Sequence, residues 1–334
     1  MGRLLLVVMV AAACSDSSSG GPIKVDDLRA AYVAFACNSL TRCGLVESSS
    51  ECRTLRVTAS GNYSGLFTDG QIEAAKAGIL PYDGTAAGDC LASFFSTCDR
   101  NYLGTTRARV EACDHIFTAS AGSGAACGIN EECVSGYCET TTPCVGTCYG
   151  SMAPPPRPHL GESCQMNTDC IDSWCDTSTS LYTCQAFGAS GTPCQSDNQC
   201  QSGLSCRTGT CRALAATGGA CSSDSDCSSI GDYCNGTCTK YGVAGDACSS
   251  GTQCAPLFYR CDSATQKCVS GPRLGDVCTG AGACIDQSYC DTTQDKCVAL
   301  LADGAQCMSS DQCKSGTCDQ TTFPYTCMTA QICY

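Results

Sequence analysis

The stretch that decides the fold is GTPCQSDNQCQSGLSCRTGTC, residues 191–211, in which Gly191 precedes Cys194 by three positions and Cys200, Cys206 and Cys211 follow. So short a segment buries too little apolar surface to hold itself together, and cross-links are the expected substitute. The same register recurs along the chain. Gly124, Gly161, Gly191, Gly218, Gly245, Gly275 and Gly304 each stand three residues before a cysteine. These first cysteines are Cys127, Cys164, Cys194, Cys221, Cys248, Cys278 and Cys307. After five intervening residues come Cys133, Cys170, Cys200, Cys227, Cys254, Cys284 and Cys313, then Cys138, Cys175, Cys206, Cys234, Cys261, Cys290 and Cys318. A fourth follows at variable distance in the last six copies: Cys184, Cys211, Cys238, Cys268, Cys297 and Cys327. A fixed spacing signals fixed geometry, whereas a variable loop is cheap in entropy.

Four cysteines allow three pairings. The working hypothesis is first with third and second with fourth, because crossed bridges knit both arms of a hairpin. Ser135-Gly136, Ser202-Gly203 and Ser315-Gly316 supply turn chemistry between the second and third cysteines. The recurring glycine is read as a positive-φ position or a close contact between modules. Small β-hairpins with little other regular structure are expected over this half of the chain.

The whole chain has 334 residues and 37 cysteines, with 15% charged residues and one tryptophan, Trp174. Such cysteine usage points to an oxidising, exported setting. Zinc and iron–sulfur sites favour C-x2-C pairs, and the sequence has none; the nearest are Cys144 with Cys148 and Cys234 with Cys238. The net charge of -13 argues against nucleic acid, and no small-molecule cofactor motif is present.

Residues 23–120 read differently. Leu28, Tyr32 and Phe35 share a helical face, and Asp26 and Asp27 suit its first turn. Thr68 to Gln71 has capping-box spacing before Ile72–Leu80, which Pro81 is expected to end. Further helices are expected over 87–98 and 106–118. Cys37, Cys43, Cys52, Cys90, Cys98 and Cys113 fall here, so the region reads as a small all-α domain with internal disulfides.

At the amino terminus, residues 1–13 (MGRLLLVVMVAAA) carry Arg3, an apolar run from Leu4 to Val10 and three alanines before Cys14. That is export-signal anatomy, too short to span a bilayer. Ala11, Ala12, Ala13 and Cys14 resemble the lipobox of bacterial lipoprotein precursors, with alanine at 11 where leucine is commoner. The resemblance implies lipid attachment at Cys14 and, with Ser15 following, the outer membrane. A plain secretion signal is the alternative and implies a periplasmic or secreted protein. Residues 14–22 read as a flexible tether.

The remaining boundaries are a first cysteine-rich module at 121–150, a Pro-rich linker at 151–160 and six tandem modules with a tail at 161–334. In the linker, MAPPPRPHL (152–160) favours polyproline II, which separates an inner part from an outer array. The modules resemble the Dickkopf amino-terminal cysteine-rich domain. The architecture resembles cysteine-rich surface lipoproteins predicted in Gram-negative bacterial genomes. Setting Cys14 aside leaves six cysteines in the helical region, five in the first module (with Cys144 and Cys148), quartets in the others, and Cys333 as complement to the odd five.

For chemistry, His115 and His159 are the available imidazoles, and neither sits in a catalytic motif. Acids near the second cysteines (Glu131, Glu132, Asp169, Asp224, Asp226 and Asp311) raise calcium binding against turn formation. Tyr137, Trp174, Tyr233, Phe258, Tyr259 and Tyr289 near the third cysteines are read as packing on disulfides. The functional expectation is a non-enzymatic, lipid-anchored surface protein whose array binds an unknown protein or glycan. A protease inhibitor and a passive spacer are the alternatives.

Overall fold

The computed structural model describes residues 20–53, 66–98, 111–142, 144–150, 158–165, 170, 173–178, 181–201, 203–256, 258–278, 284–286, 288–321 and 323–328. Cys14, Asp169 and Cys333 lie outside them.

The region before residue 120 holds α1 (Leu28–Arg42), α2 (Ser49–Cys52), α3 (Asp69–Lys76), α4 (Gly84–Phe94) and α5 (Glu111–Asp114). Leu28 and Tyr32 of α1 pack with Phe67, Ile72, Leu91, Phe95 and Ile116, all buried, and Phe35 lies half-buried beside them. The Tyr32 ring meets Phe67 and Phe95 edge-on at 5.8 and 5.3 Å, the favoured aromatic arrangement. Three bridges tie the helices: Cys37–Cys52, Cys43–Cys98 and Cys90–Cys113.

The capping box forms as expected: the Thr68 hydroxyl accepts from the Gln71 N–H and the Gln71 side chain accepts from the Thr68 N–H. Pro81 does not end α3. Gly78, at φ +74°, turns the chain first, and the Ile79 N–H closes back on the Ala74 carbonyl at 2.9 Å. Pro81 instead precedes Asp83, whose carboxylate caps α4 by accepting from the Thr85 and Ala86 N–H groups. That cap starts α4 at residue 84 rather than 87. Of the helix expected over 106–118, residues 111–118 are described, and the helix there is confined to α5, with the chain leaving it after Asp114.

Beyond residue 120 every module is a hairpin under a loop. The first module has strands β1 (Ala126–Cys127), β2 (Cys138–Thr142) and β3 (Val145–Cys148), in the order β1-β3-β2. Six further hairpins follow, from β4 (Trp174–Asp176) with β5 (Thr183–Gln185) to β14 (Cys318–Asp319) with β15 (Thr326–Cys327). Between them lie β6 (Leu204–Arg207) with β7 (Thr210–Ala213), β8 (Asp232–Cys234) with β9 (Cys238–Lys240), β10 (Tyr259–Asp262) with β11 (Lys267–Ser270), and β12 (Ser288–Asp291) with β13 (Lys296–Ala299).

In every hairpin the third and fourth cysteines face each other directly across the two strands, as Cys206 faces Cys211 and Cys318 faces Cys327. They do not bond to each other. The third takes the first cysteine and the fourth takes the second, in all seven modules, from Cys127–Cys138 with Cys133–Cys148 to Cys307–Cys318 with Cys313–Cys327. The hypothesised crossed pairing is therefore the one observed. Each bridge closes 11 to 15 residues, which in the chain-entropy model contributes about 3 kcal/mol.

The repeated glycine is a conformational requirement. All seven take φ between +80° and +90°, and a Cβ added at any of them meets open space. Their N–H groups donate to the carbonyl of the fourth cysteine at 2.7–2.8 Å, and the fourth cysteine's N–H returns to the residue after the glycine at 2.8–2.9 Å. This reciprocal pair adds a third strand-like segment to each hairpin.

The modules are also stepped regularly. The residue six before the first cysteine forms a parallel bridge with the second cysteine in five modules, for instance Gly188 with Cys200 and Leu301 with Cys313. Counted from the fourth cysteine of one module, that residue always lies four positions on, from Cys184 to Gly188 and from Cys297 to Leu301. The segment between adjacent quartets from the second module onward is thus taken up by hydrogen bonding rather than left as a tether.

Gly191→Ala is expected to strain φ by about 1–3 kcal/mol and speed amide exchange at Cys211 roughly 5- to 150-fold. Unchanged exchange there would remove the conformational role given to the glycine.

Candidate functional site

The helical region packs against the middle of the array. Ile230, Phe258, Tyr259 and Ile285, all from segments between second and third cysteines, contact the surface formed by Leu40, Cys43, Leu45, Val46 and Cys52. The Tyr259 hydroxyl donates to Glu51 Oε2 at 3.0 Å and accepts from the Glu47 N–H at 3.2 Å. Burial pushes its phenol up to about 12, with the Glu51 carboxylate acting in the same direction. Arg273 Nη2 lies 3.2 Å from Glu51 Oε1. The Ile230 N–H donates to the Cys98 carbonyl at 2.9 Å. Gly231 permits this approach, since a Cβ there would stand 1.8 Å from the Cys43 carbonyl oxygen.

Beside this seam lies a cleft of about 500 Å³, bordered by Glu47, Tyr233, Lys240, Tyr241, Asp246 and Gln253 among others. Tyr233 and Tyr241 stack at 5.4 Å with a 30° tilt, placing the fourth module's aromatic pair along one wall. Hydroxyl, amide and charged groups of both signs thus border a space of the size that small ligands use.

The residues singled out for chemistry mostly serve the frame. The position before the second cysteine accepts the N–H of the residue after the first: Glu132 from Gly128, Gln199 from Gln195, Asp226 from Ser222, Gln253 from Ser249 and Gln312 from Met308. A neutral amide does this in three of the five, so the role requires an oxygen acceptor and not a charge. Asn130, Asp197, Asp224 and Ser310 likewise accept the N–H of the third cysteine, covering an outward-facing donor on an edge strand. Glu132, Asp224 and Asp226 thus take the turn-forming part that the sequence offered for them.

The aromatic expectation divides. Tyr233 and Tyr259 are buried, but Tyr259 packs across the seam as well as near its own disulfides. Trp174 donates from its indole to the Ala186 carbonyl at 3.2 Å, and Tyr137 is half exposed against Tyr149. Tyr289 is partly buried. His115 is exposed after α5, and His159 is exposed with its N–H bonded to Glu162.

The crossed bridges bring three sulfurs, such as those of Cys127, Cys133 and Cys148, within 4.8 Å of one another. That spacing suits a metal, but each of these sulfurs is bonded in a disulfide, and the thiolate is the metal ligand. Among the described residues no helix is long and apolar enough to cross a membrane. The disulfide content is that of an exported protein. Comparison with protein-family models, curated proteins and solved structures gave no match.

The sequence alone does not place this seam. The docking modules carry Ile230, Phe258 and Ile285 between their second and third cysteines, a segment in which the first, third and seventh modules carry Ser-Gly turns.

Tyr259→Ala is expected to weaken the seam by about 3 kcal/mol and to speed exchange of the Ile230 amide, which spans the same contact. No change at Ile230 would mean that the two contacts are independent. The Asp226 carboxyl is held down at about 2, first by the Ser222 N–H and hydroxyl. A depressed folded value gives stability that is present above the unfolded value near 3.9 and is lost as pH falls through the folded one. The Ser222 amide is therefore expected to lose protection between about pH 4 and pH 2, and Asp226→Asn to abolish that pH dependence.

Proposed function

We propose that this chain is a lipid-anchored, non-enzymatic cell-surface protein whose disulfide-stapled array is a multivalent binding platform. The supporting observation is a constant frame carrying variable, exposed hairpin ends. Leu181 in the second module is 74% exposed and Phe323 in the seventh is 88% exposed. Both sit between a third and a fourth cysteine, in the segment whose length varies most between modules. Binding residues concentrate on such loops when a rigid scaffold positions them. Repetition lets weak single contacts act together. The partner is a protein or glycan of the envelope or surroundings, and the membrane connection is the lipid at Cys14 in the outer membrane. Tandem modules resembling the Dickkopf amino-terminal domain are a scaffold in this reading and bring no receptor with them.

The exposed apolar ends also favour a second reading, a protease inhibitor, since a loop clamped by paired cysteines resists the opening that cleavage needs. A passive spacer draws less support, because the middle modules fold back on the helical region instead of extending from it.

Two measurements separate these readings. Immobilised ectodomain beginning at residue 20 is expected to retain envelope or environmental material, with retention lost on Leu181→Ser and Phe323→Ser while the folded array persists. Inhibition of a protease panel by the wild type alone would favour the second reading; neither retention nor inhibition would leave the spacer. Cys14→Ser is expected to shift the protein from the detergent to the aqueous phase and remove acyl mass from the amino-terminal peptide. An unmodified wild-type Cys14 would overturn the anchor.

A further inference from the structure

The cleft beside the seam is assembled from three stretches of chain. Glu47 and its neighbours come from the turn after α1, Tyr233, Lys240 and Tyr241 from the fourth module, and Asp246 and Gln253 from the fifth. The wall at Glu47 is in place only while the seam is closed.

Several polar groups of these walls are uncommitted. Tyr233 is only 9% exposed, yet its hydroxyl has no hydrogen-bond partner among the described residues and is not sealed from solvent. A phenol set so deeply ordinarily finds a partner. Glu47 and Lys240 are exposed, and neither forms an ion pair among the described residues. Gln253 accepts through Oε1 from the Ser249 and Ser250 N–H groups, so its Nε2 is a donor without an acceptor among the described residues. One oxygen of Asp246 accepts from the Val243 N–H.

Donors and acceptors therefore stand together beside the Tyr233–Tyr241 pair. A sugar hydroxyl both donates and accepts, so a polyhydroxy ring matches such a mixed set, and its C–H face suits an aromatic ring. A charged ligand fits less well, because an anion meets Glu47 and Asp246 and a cation meets Lys240. We propose that this cleft binds a neutral saccharide of one or two rings, which touches the helical region on one side and the fourth and fifth modules on the other and so holds the seam closed. The site goes beyond the binding-platform reading, since Leu181 and Phe323 lie outside the cleft, and the two can fail separately.

The test titrates the full chain calorimetrically with cellobiose, maltose, lactose and N,N′-diacetylchitobiose, with glucuronate and glucosamine as charged comparators. At least one neutral disaccharide is expected to saturate a single site. Sugar at ten times its Kd is expected to slow exchange of the Ile230 amide, which bonds across the seam to the Cys98 carbonyl, by about tenfold. Lys240→Ala and Glu47→Ala are each expected to weaken binding roughly 10- to 150-fold. Exchange at Ile230 without sugar reports whether each variant keeps its seam, and Lys240, on the array side, decides the matter if Glu47→Ala opens it. No heat from any neutral sugar up to about 10 mM overturns the site. So does tighter binding of a charged comparator, or binding that Lys240→Ala leaves unchanged. Saturable binding with no slowing at Ile230 overturns the bridging of the seam.

Discussion

The structure depends on one local constraint: two cysteines facing each other across a hairpin, each bonded to a different cysteine of a single covering loop. Facing residues project to the same side of a two-stranded ribbon, so both bridges leave from one face and pull the loop over it. Neither hairpin nor loop buries enough apolar surface to persist alone. The buried residues in several modules are little more than the four cysteines themselves, as with Cys164, Cys170, Cys175 and Cys184. The sulfur cluster is the core, and length varies most at the hairpin end beyond it.

Hydrogen bonds then complete what the bridges begin. The positive-φ glycine ties the approaching chain to the fourth cysteine, the acceptor before the second cysteine fixes the covering loop, and the side chain three residues after the first cysteine covers the hairpin edge. With a constant step into the next module, these repeated bonds make the array a stacked series rather than beads on a string. Specificity has room to evolve at the ends because the frame does not draw on them.

Much of this was legible because cysteine spacing reports geometry directly. The six regular quartets, the glycine position and the Thr68 capping box follow from the sequence, and the crossed pairing from the argument that both hairpin arms need tying, whereas the fourth member of the first module's quartet, Cys148, is seen only in the structure. The end of α3 was misjudged because a positive-φ glycine stops a helix as firmly as proline does. From the second module onward a constant ten-residue interval separates each fourth cysteine from the next first cysteine, as in 184 to 194 and 211 to 221, and it is the signature of fixed junctions. The seam is a different case. Tyr259, Ile230 and Ile285 look like packing residues of their own modules, and no local pattern says that they meet a helix more than 170 residues earlier. Long-range docking depends on the superposition of many junctions, which spacing alone does not convey. The chemistry of the cleft was equally hidden, since its walls come from three separate parts of the chain.

The most direct test of the account is the connectivity of the quartets, determined by partial reduction and peptide mapping of protein exported by its own host. The account predicts first with third and second with fourth in every module, including Cys194–Cys206 with Cys200–Cys211. Modules joined first with second and third with fourth would contradict it, because the loop would then close on itself and the hairpin would be left uncovered.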